Sequence, residues 1–213
     1  MKDLEELRAT VATLRAPGGC PWDREQTHES LLPCLVEECS EVLEAVDRGD
    51  HAHLREELGD LLLSVFLHAR IAEEEGRFSL DDVAREINEK LIRRHPHVFG
   101  PGAGRMSTDE VLVQWEKIKA GEKAAAGKAA DGLFKDLPPR LPALYHAAET
   151  AKRIRKKRLP PVEAYDPGAA SDPGGEDAVG RALFELAAVC DREGWDPEAL
   201  LRKHCDKVRA QAE

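Results

Sequence analysis

Two acidic couplets set in two adjoining apolar helical segments constrain this chain most: Glu38-x-x-Glu41 and, beyond a Gly49-Asp50 turn, Glu57-x-x-Asp60. At 100° per residue, Leu31, Leu32, Leu35, Val36, Cys39, Val42, Leu43 and Val46 form one apolar arc. Glu38 lies at its edge and Glu41 one turn away on the same side. In the next segment Leu54, Leu58, Leu61, Leu62 and Val65 surround the direction of Glu57, and 61–67 is apolar nearly all round. A helix of that kind is buried on most sides, in a bundle or an oligomer interface. On this pattern Cys39 is a core residue.

Two antiparallel helices joined by a short turn bring both couplets together. Like charges at close range in a partly apolar setting are costly unless a positive group neutralises them. From the residues alone three readings stay open. One is a solvated charged face with ordinary ion pairs. Another is a di-iron carboxylate bundle, which expects Glu-x-x-His. Here the i+3 partners are Glu41 and Asp60, so the third reading is an all-oxygen site suited to Mg²⁺, with Mn²⁺ possible.

The rest of the chain is helical in character. Only 5% of its 213 residues are aromatic, β-branched runs are scarce, and Ala, Leu, Glu and Arg dominate. The expected fold class is all-α. The pattern predicts helices over 2–15, from a Thr27 cap to Arg48, over 51–75, from a Ser79 cap to Arg94, from 107 or 108 to Lys119, and over 141–157, 176–193 and 197–212. Cys20-Pro21-Trp22-Asp23 and 98–102 are expected to be loops. No apolar run is long enough for a membrane span. Five scattered cysteines, an N-terminus unlike a signal peptide and a net charge of -10 point to a reduced, cytoplasmic protein that is not a general nucleic-acid binder.

The ordered set Cys20-Pro21-Trp22-Asp23, Gln26-Thr27, EExxE at 37–41, Glu57-Leu58-Gly59-Asp60, Glu75-Gly76-Arg77-Phe78, Arg93-Arg94-His95-Pro96-His97-Val98-Phe99-Gly100 and Trp115-Glu116-Lys117 resembles the MazG family of nucleoside triphosphate pyrophosphohydrolases. The resemblance covers about residues 1–123. It implies cleavage of a (d)NTP between the α and β phosphates in a helical bundle completed by homodimerisation. Glu38, Glu41, Glu57 and Asp60 fall on the family's Mg²⁺ positions. Glu37 or Glu38 is the expected general base. Lys90, Arg94 and Lys119 suit the phosphate tail, and Trp22, Asp23, Gln26 and His28 the base and sugar. His68 is expected to be structural, and His95 and His97 to close a helix.

Residues 124–140 read as a linker, and 141–213 as a degenerate second copy with a mobile loop over 159–175. There Gly180-Arg181 corresponds to Gly59-Asp60, Ala178 to Glu57, Glu193-Gly194 to Glu75-Gly76, and Lys207 to Lys90. An arginine cannot ligate Mg²⁺, so catalysis is expected from 1–123 alone. The basic run 152–158 is expected to be a solvated helix end. The expected role is house-cleaning of the nucleotide pool. The competing expectation is a noncatalytic helical regulatory or oligomerisation protein that keeps a nucleotide or alarmone pocket.

Overall fold

A computed structural model describes residues 2–101, 104, 106–125, 138, 141–156 and 175–212. Among these residues the chain forms ten helices and no strand. They are α1 (Lys2–Arg15), α2 (Pro21–Glu25), α3 (Leu32–Arg48), α4 (His51–Glu74), α5 (Leu80–Arg94), α6 (Pro96–Phe99), α7 (Thr108–Ala125), α8 (Ala143–Lys156), α9 (Glu176–Glu193) and α10 (Pro197–Ala212). The expected all-α class is therefore observed. The expected loop over 159–175, except its last residue, and most of the linker over 124–140 lie outside the described residues.

The chain divides into two compact units, residues 1–118 and 119–213, with α7 running across the division. In the first, α3 packs along α4, and α4 is flanked by α1 and α5. Val11, Leu31, Phe66, Leu67 and Ile71 form the core, with Leu7, Leu63 and Leu80 against it. α5 starts at a reciprocal capping box: Ser79 Oγ accepts from Asp82 N, and the Asp82 carboxylate accepts from Ser79 N.

Four local expectations need correction. Residues 20–23 are not a loop, because Pro21 opens a one-turn helix, α2. α3 begins at Leu32 rather than at a Thr27 cap. Pro33 has no N–H to donate, and this start places it in the first turn, where that donor is not required. Thr27 instead closes a turn with Ser30, each side-chain oxygen accepting from the other residue's backbone N–H. Residues 98–99 belong to α6, which Pro96 initiates, and α7 continues past Lys119 to Ala125.

The largest departure concerns the apolar arc. Cys39 is exposed, not core. Val36 is 66% exposed, and Leu43 on α3 and Leu58, Leu62 and Val65 on α4 are exposed with it. Glu57, by contrast, is only 5% exposed. Within one chain α3 and α4 bury the edge of the arc that carries the glutamates and leave its apolar middle open to solvent.

In the second unit α8 packs on α9, and α10 touches both. The Leu144 N–H donates to Glu198 Oε1 at 3.1 Å, and Arg155 pairs with Asp191. Ala187 and Glu185 are buried.

Candidate active site

The site is built on the α3–α4 hairpin. Gly49 ends α3 with a φ of +68°, a conformation that only glycine adopts without strain. Asp50 then caps α4, its carboxylate accepting from Ala52 N at 3.0 Å and His53 N at 3.1 Å. The tight turn sets the two helices side by side, so that the acidic couplets meet across the seam.

One carboxylate oxygen each from Glu38, Glu41 and Glu57 lies within 4.8 Å of the others. Glu38 and Glu41 are half-buried. Burial, reinforced by the charges of Asp60, Glu41 and Glu37, raises the proton affinity of Glu38 above the usual carboxylate range. Burial and Glu41 do the same for Glu57, against an opposing pull from His53. Asp60 stands outside the tight trio, yet its charge acts on both Glu38 and Glu57. Glu37 is exposed beside them.

Such a cluster is destabilised by mutual repulsion, and a cation removes that penalty. The donors are all oxygen, so the residues present fit a hard divalent ion. A second group that can hold an ion, His53, Glu56 and Glu57, shares Glu57 with the first, and His53 Nδ1 is 3.1 Å from Glu57 Oε1. Among the described residues both groups are in the first unit. In the second, the residues expected to correspond to Glu57 and Asp60 are Ala178 and Arg181.

The phosphate candidates Lys90 and Arg94 are half-buried, one turn apart on α5, which packs against α4. Lys119 is the first residue of the second unit. Both Arg94 and Lys119 are already engaged in polar interactions within the chain.

Of the base and sugar candidates, Trp22 is 55% exposed. Gln26 is committed internally: its Nε2 donates to Trp22 O at 2.9 Å and its Oε1 accepts from Ser30 Oγ at 2.7 Å. The Asp23 carbonyl accepts from Arg15. His28 Nδ1 is 2.8 Å from His68 Nδ1 on α4. At the far end of α5, His95 caps through its Nδ1 contact to Leu91 O, sets its ring edge-on to Trp115, and stands beside His97, which meets Gln114.

Sequence reasoning missed His53, Arg15 and the contact between His28 and His68. His53 had a readable signal, because it stands four positions before Glu57 on one helix face. Arg15 and the His28–His68 contact had none, since their partners are distant in sequence.

Comparison with known proteins follows the same lines. The model of the MazG nucleotide pyrophosphohydrolase domain matches residues 26–99. The chain is 42% identical over 208 residues to the nucleoside triphosphate pyrophosphohydrolase/pyrophosphatase MazG of Thermotoga maritima, covering 93% of this chain and 80% of that protein. It is 46% identical over 154 residues to a nucleoside triphosphate pyrophosphohydrolase of Escherichia coli K12, covering 72% of this chain and 57% of that protein. A crystal structure of a mazG-related protein from Thermotoga maritima aligns with 55% of this chain and 98% of its own, at 32% identity and a TM-score of 0.48. On this identity and coverage the chain belongs to the MazG family.

Proposed function

We propose that this protein hydrolyses nucleoside triphosphates to the monophosphate and pyrophosphate, with Mg²⁺ as its cofactor, and so removes unwanted (d)NTPs from the nucleotide pool of the cytoplasm. The observation that carries the reading is the convergence of Glu38, Glu41 and Glu57 within 4.8 Å on the α3–α4 hairpin. The names of the relatives support it.

A bound divalent cation supplies charge screening for the triphosphate and activation of a water molecule. Glu38, Glu41, Glu57 and Asp60 would hold it. In this reading Glu37 or Glu38, neighbours at the edge of the cluster, takes the proton of the attacking water. Lys90 and Arg94 neutralise the phosphate tail. Trp22, Asp23 and His28 meet the base and sugar.

The working protein is a homodimer in this reading, since Val36, Leu43, Leu58, Leu62 and Val65 form an uncovered apolar strip beside the acids. Residues 1–123 do the chemistry, and 141–213, joined through the linker, serve assembly or regulation.

The test is pyrophosphate release across a panel of (d)NTPs with and without Mg²⁺. Glu38→Gln and Asp60→Asn should each lower turnover by about 10²- to 10⁴-fold. Turnover that survives both changes, or that ignores Mg²⁺, sinks the assignment. Mg²⁺-dependent binding without turnover would instead favour a regulatory nucleotide pocket.

A further inference from the structure

The segment between α1 and α3 has few means of holding its own shape. It is a one-turn helix, α2, followed by the Thr27–Ser30 turn, and only Leu31 at its end enters the core. A segment this short is marginal in isolation, yet it is tied to α4 at two separate points.

The first tie is Arg15, the last residue of α1. Its side chain is only 6% exposed. Nη1 donates to the carbonyls of Asp23 and of Gln26, the latter at 3.2 Å. Nε and Nη2 grip the Glu74 carboxylate at 3.2 Å and 2.8 Å. Arg70 holds the same carboxylate from one turn away, with Nε donating to Glu74 Oε1 at 2.9 Å. Burial opposes the Glu74 charge, but the two guanidinium groups outweigh it and hold the carboxyl below its usual range. The planar fork of an arginine can serve two carbonyls and a carboxylate at once; a lysine ammonium cannot reproduce that geometry.

The second tie is His68. Its Nδ1 meets His28 Nδ1 at 2.8 Å with the ring planes only 3° apart, so a single ring proton bridges the two imidazoles. Among the described residues His68 Nε2 is sealed from solvent with no partner, which leaves the bridge as the polar contact of that ring. Gln26, bonded to Trp22 and Ser30, stiffens the segment between the two ties.

The helix that receives both ties is also the helix that carries Glu57 and Asp60. His68 follows Asp60 by eight residues, about 12 Å along the axis. Trp22, Asp23 and His28 are thereby fixed in register with the acidic cluster through one rigid rod. We propose that Arg15 and His68 are positioning residues for nucleoside recognition: they hold the 21–31 segment against α4 so that Trp22, Asp23 and His28 meet the base and sugar of a nucleotide whose phosphates lie at the acids. This rests on the pyrophosphohydrolase reading above and adds to it the pair of residues on which nucleoside affinity depends.

The experiment compares two probes on the full chain in Mg²⁺ by calorimetric titration: the α,β-methylene analogues of the common NTPs, and inorganic tripolyphosphate, which has no nucleoside. Arg15→Lys and His68→Phe are each expected to weaken the tightest analogue by about tenfold through lost preorganisation. Tripolyphosphate binding should change by less than about twofold, because no part of it reaches the segment. Equal weakening of both probes would mean a general structural defect, and no weakening of either would mean that the ties are irrelevant to binding; both results overturn the proposal. Should Arg15→Lys lose its helical circular dichroism, His68→Phe carries the same comparison from the other tie. A wild-type chain that binds neither probe would overturn the pyrophosphohydrolase reading, and this inference with it, whereas selective failure in the variants concerns this inference alone.

Discussion

His28 and His68 stand 40 positions apart in the chain, yet their Nδ1 atoms are 2.8 Å from each other and their rings are nearly coplanar. A neutral pair supplies the single bridging proton this contact needs. Any added proton must go to the sealed Nε2 of His68 or leave that nitrogen protonated after a tautomer shift, and a second one breaks the bridge.

Burial, and then the neighbouring His28, hold the His68 pKa below its ordinary value of 6.5. A histidine kept neutral in the fold stabilises it above the unfolded pKa, and that contribution is lost as pH falls through the lower, folded one. The melting temperature of the wild-type chain should therefore drop between pH 7 and pH 5 more steeply than that of His68→Phe. Thermal melts in that window decide it; parallel curves for the two proteins would show that His68 is not held neutral in the fold.

The acid cluster gives an effect of opposite sign in the presence and absence of metal. Glu57 is buried and repelled by Glu41, so Glu57→Gln relieves strain in the metal-free protein and should raise its melting temperature. The same change removes a cation ligand. Millimolar Mg²⁺ should then stabilise the wild type, by about 1.4 kcal/mol at ten times the dissociation constant, and leave Glu57→Gln unmoved. Melts with EDTA and with Mg²⁺ test both halves, and an equal Mg²⁺ response in the two proteins would exclude Glu57 as a ligand.

How much of this is visible in the sequence depends on the range of the contact. The carboxylate trio is legible because i, i+3 spacing on two helices joined by Gly49-Asp50 leaves little geometric freedom. The Ser79–Asp82 box is legible for the same reason. The helices α2 and α6 are not, since a single turn started by Pro21 or Pro96 has too few residues for periodicity to register. Arg15 is invisible too, because its partners are two backbone carbonyls and a glutamate 59 positions away. Cys39 misleads for a different reason: periodicity tells which side of α3 is apolar, but a single chain does not cover that side.

The capping box supplies a local check on the fold. Hydrogen bonds from the Ser79 hydroxyl and backbone, with Arg85 beside them, lower the Asp82 pKa from 3.8 to about 2. A depressed carboxyl stabilises the folded state above its unfolded pKa and loses that contribution as pH falls toward 2. Ser79→Ala should cost about 1 kcal/mol at neutral pH. The cost should shrink below pH 3, which urea titrations at the two pH values would reveal; a constant cost would mean that the carboxylate plays no part in the cap.

The open apolar strip leads to the last prediction. Val36, Leu43, Leu58, Leu62 and Val65 lie on the face of α3 and α4 next to Cys39, all exposed in a single chain. Apolar side chains gain about 25 cal/mol for each Å² withdrawn from water, so a second copy that covers this strip is favoured. Leu62→Lys and Val65→Lys place charges in the middle of that contact without touching a carboxylate of the cluster. Sedimentation at micromolar concentration should show a dimer for the wild type and a 23.5 kDa monomer for the double variant. Cys39 should react with a bulky maleimide faster in the monomer than in the dimer. A wild type that sediments as a monomer, with Cys39 equally reactive in both proteins, would show that the strip has another partner or none, and that the acids work within one chain.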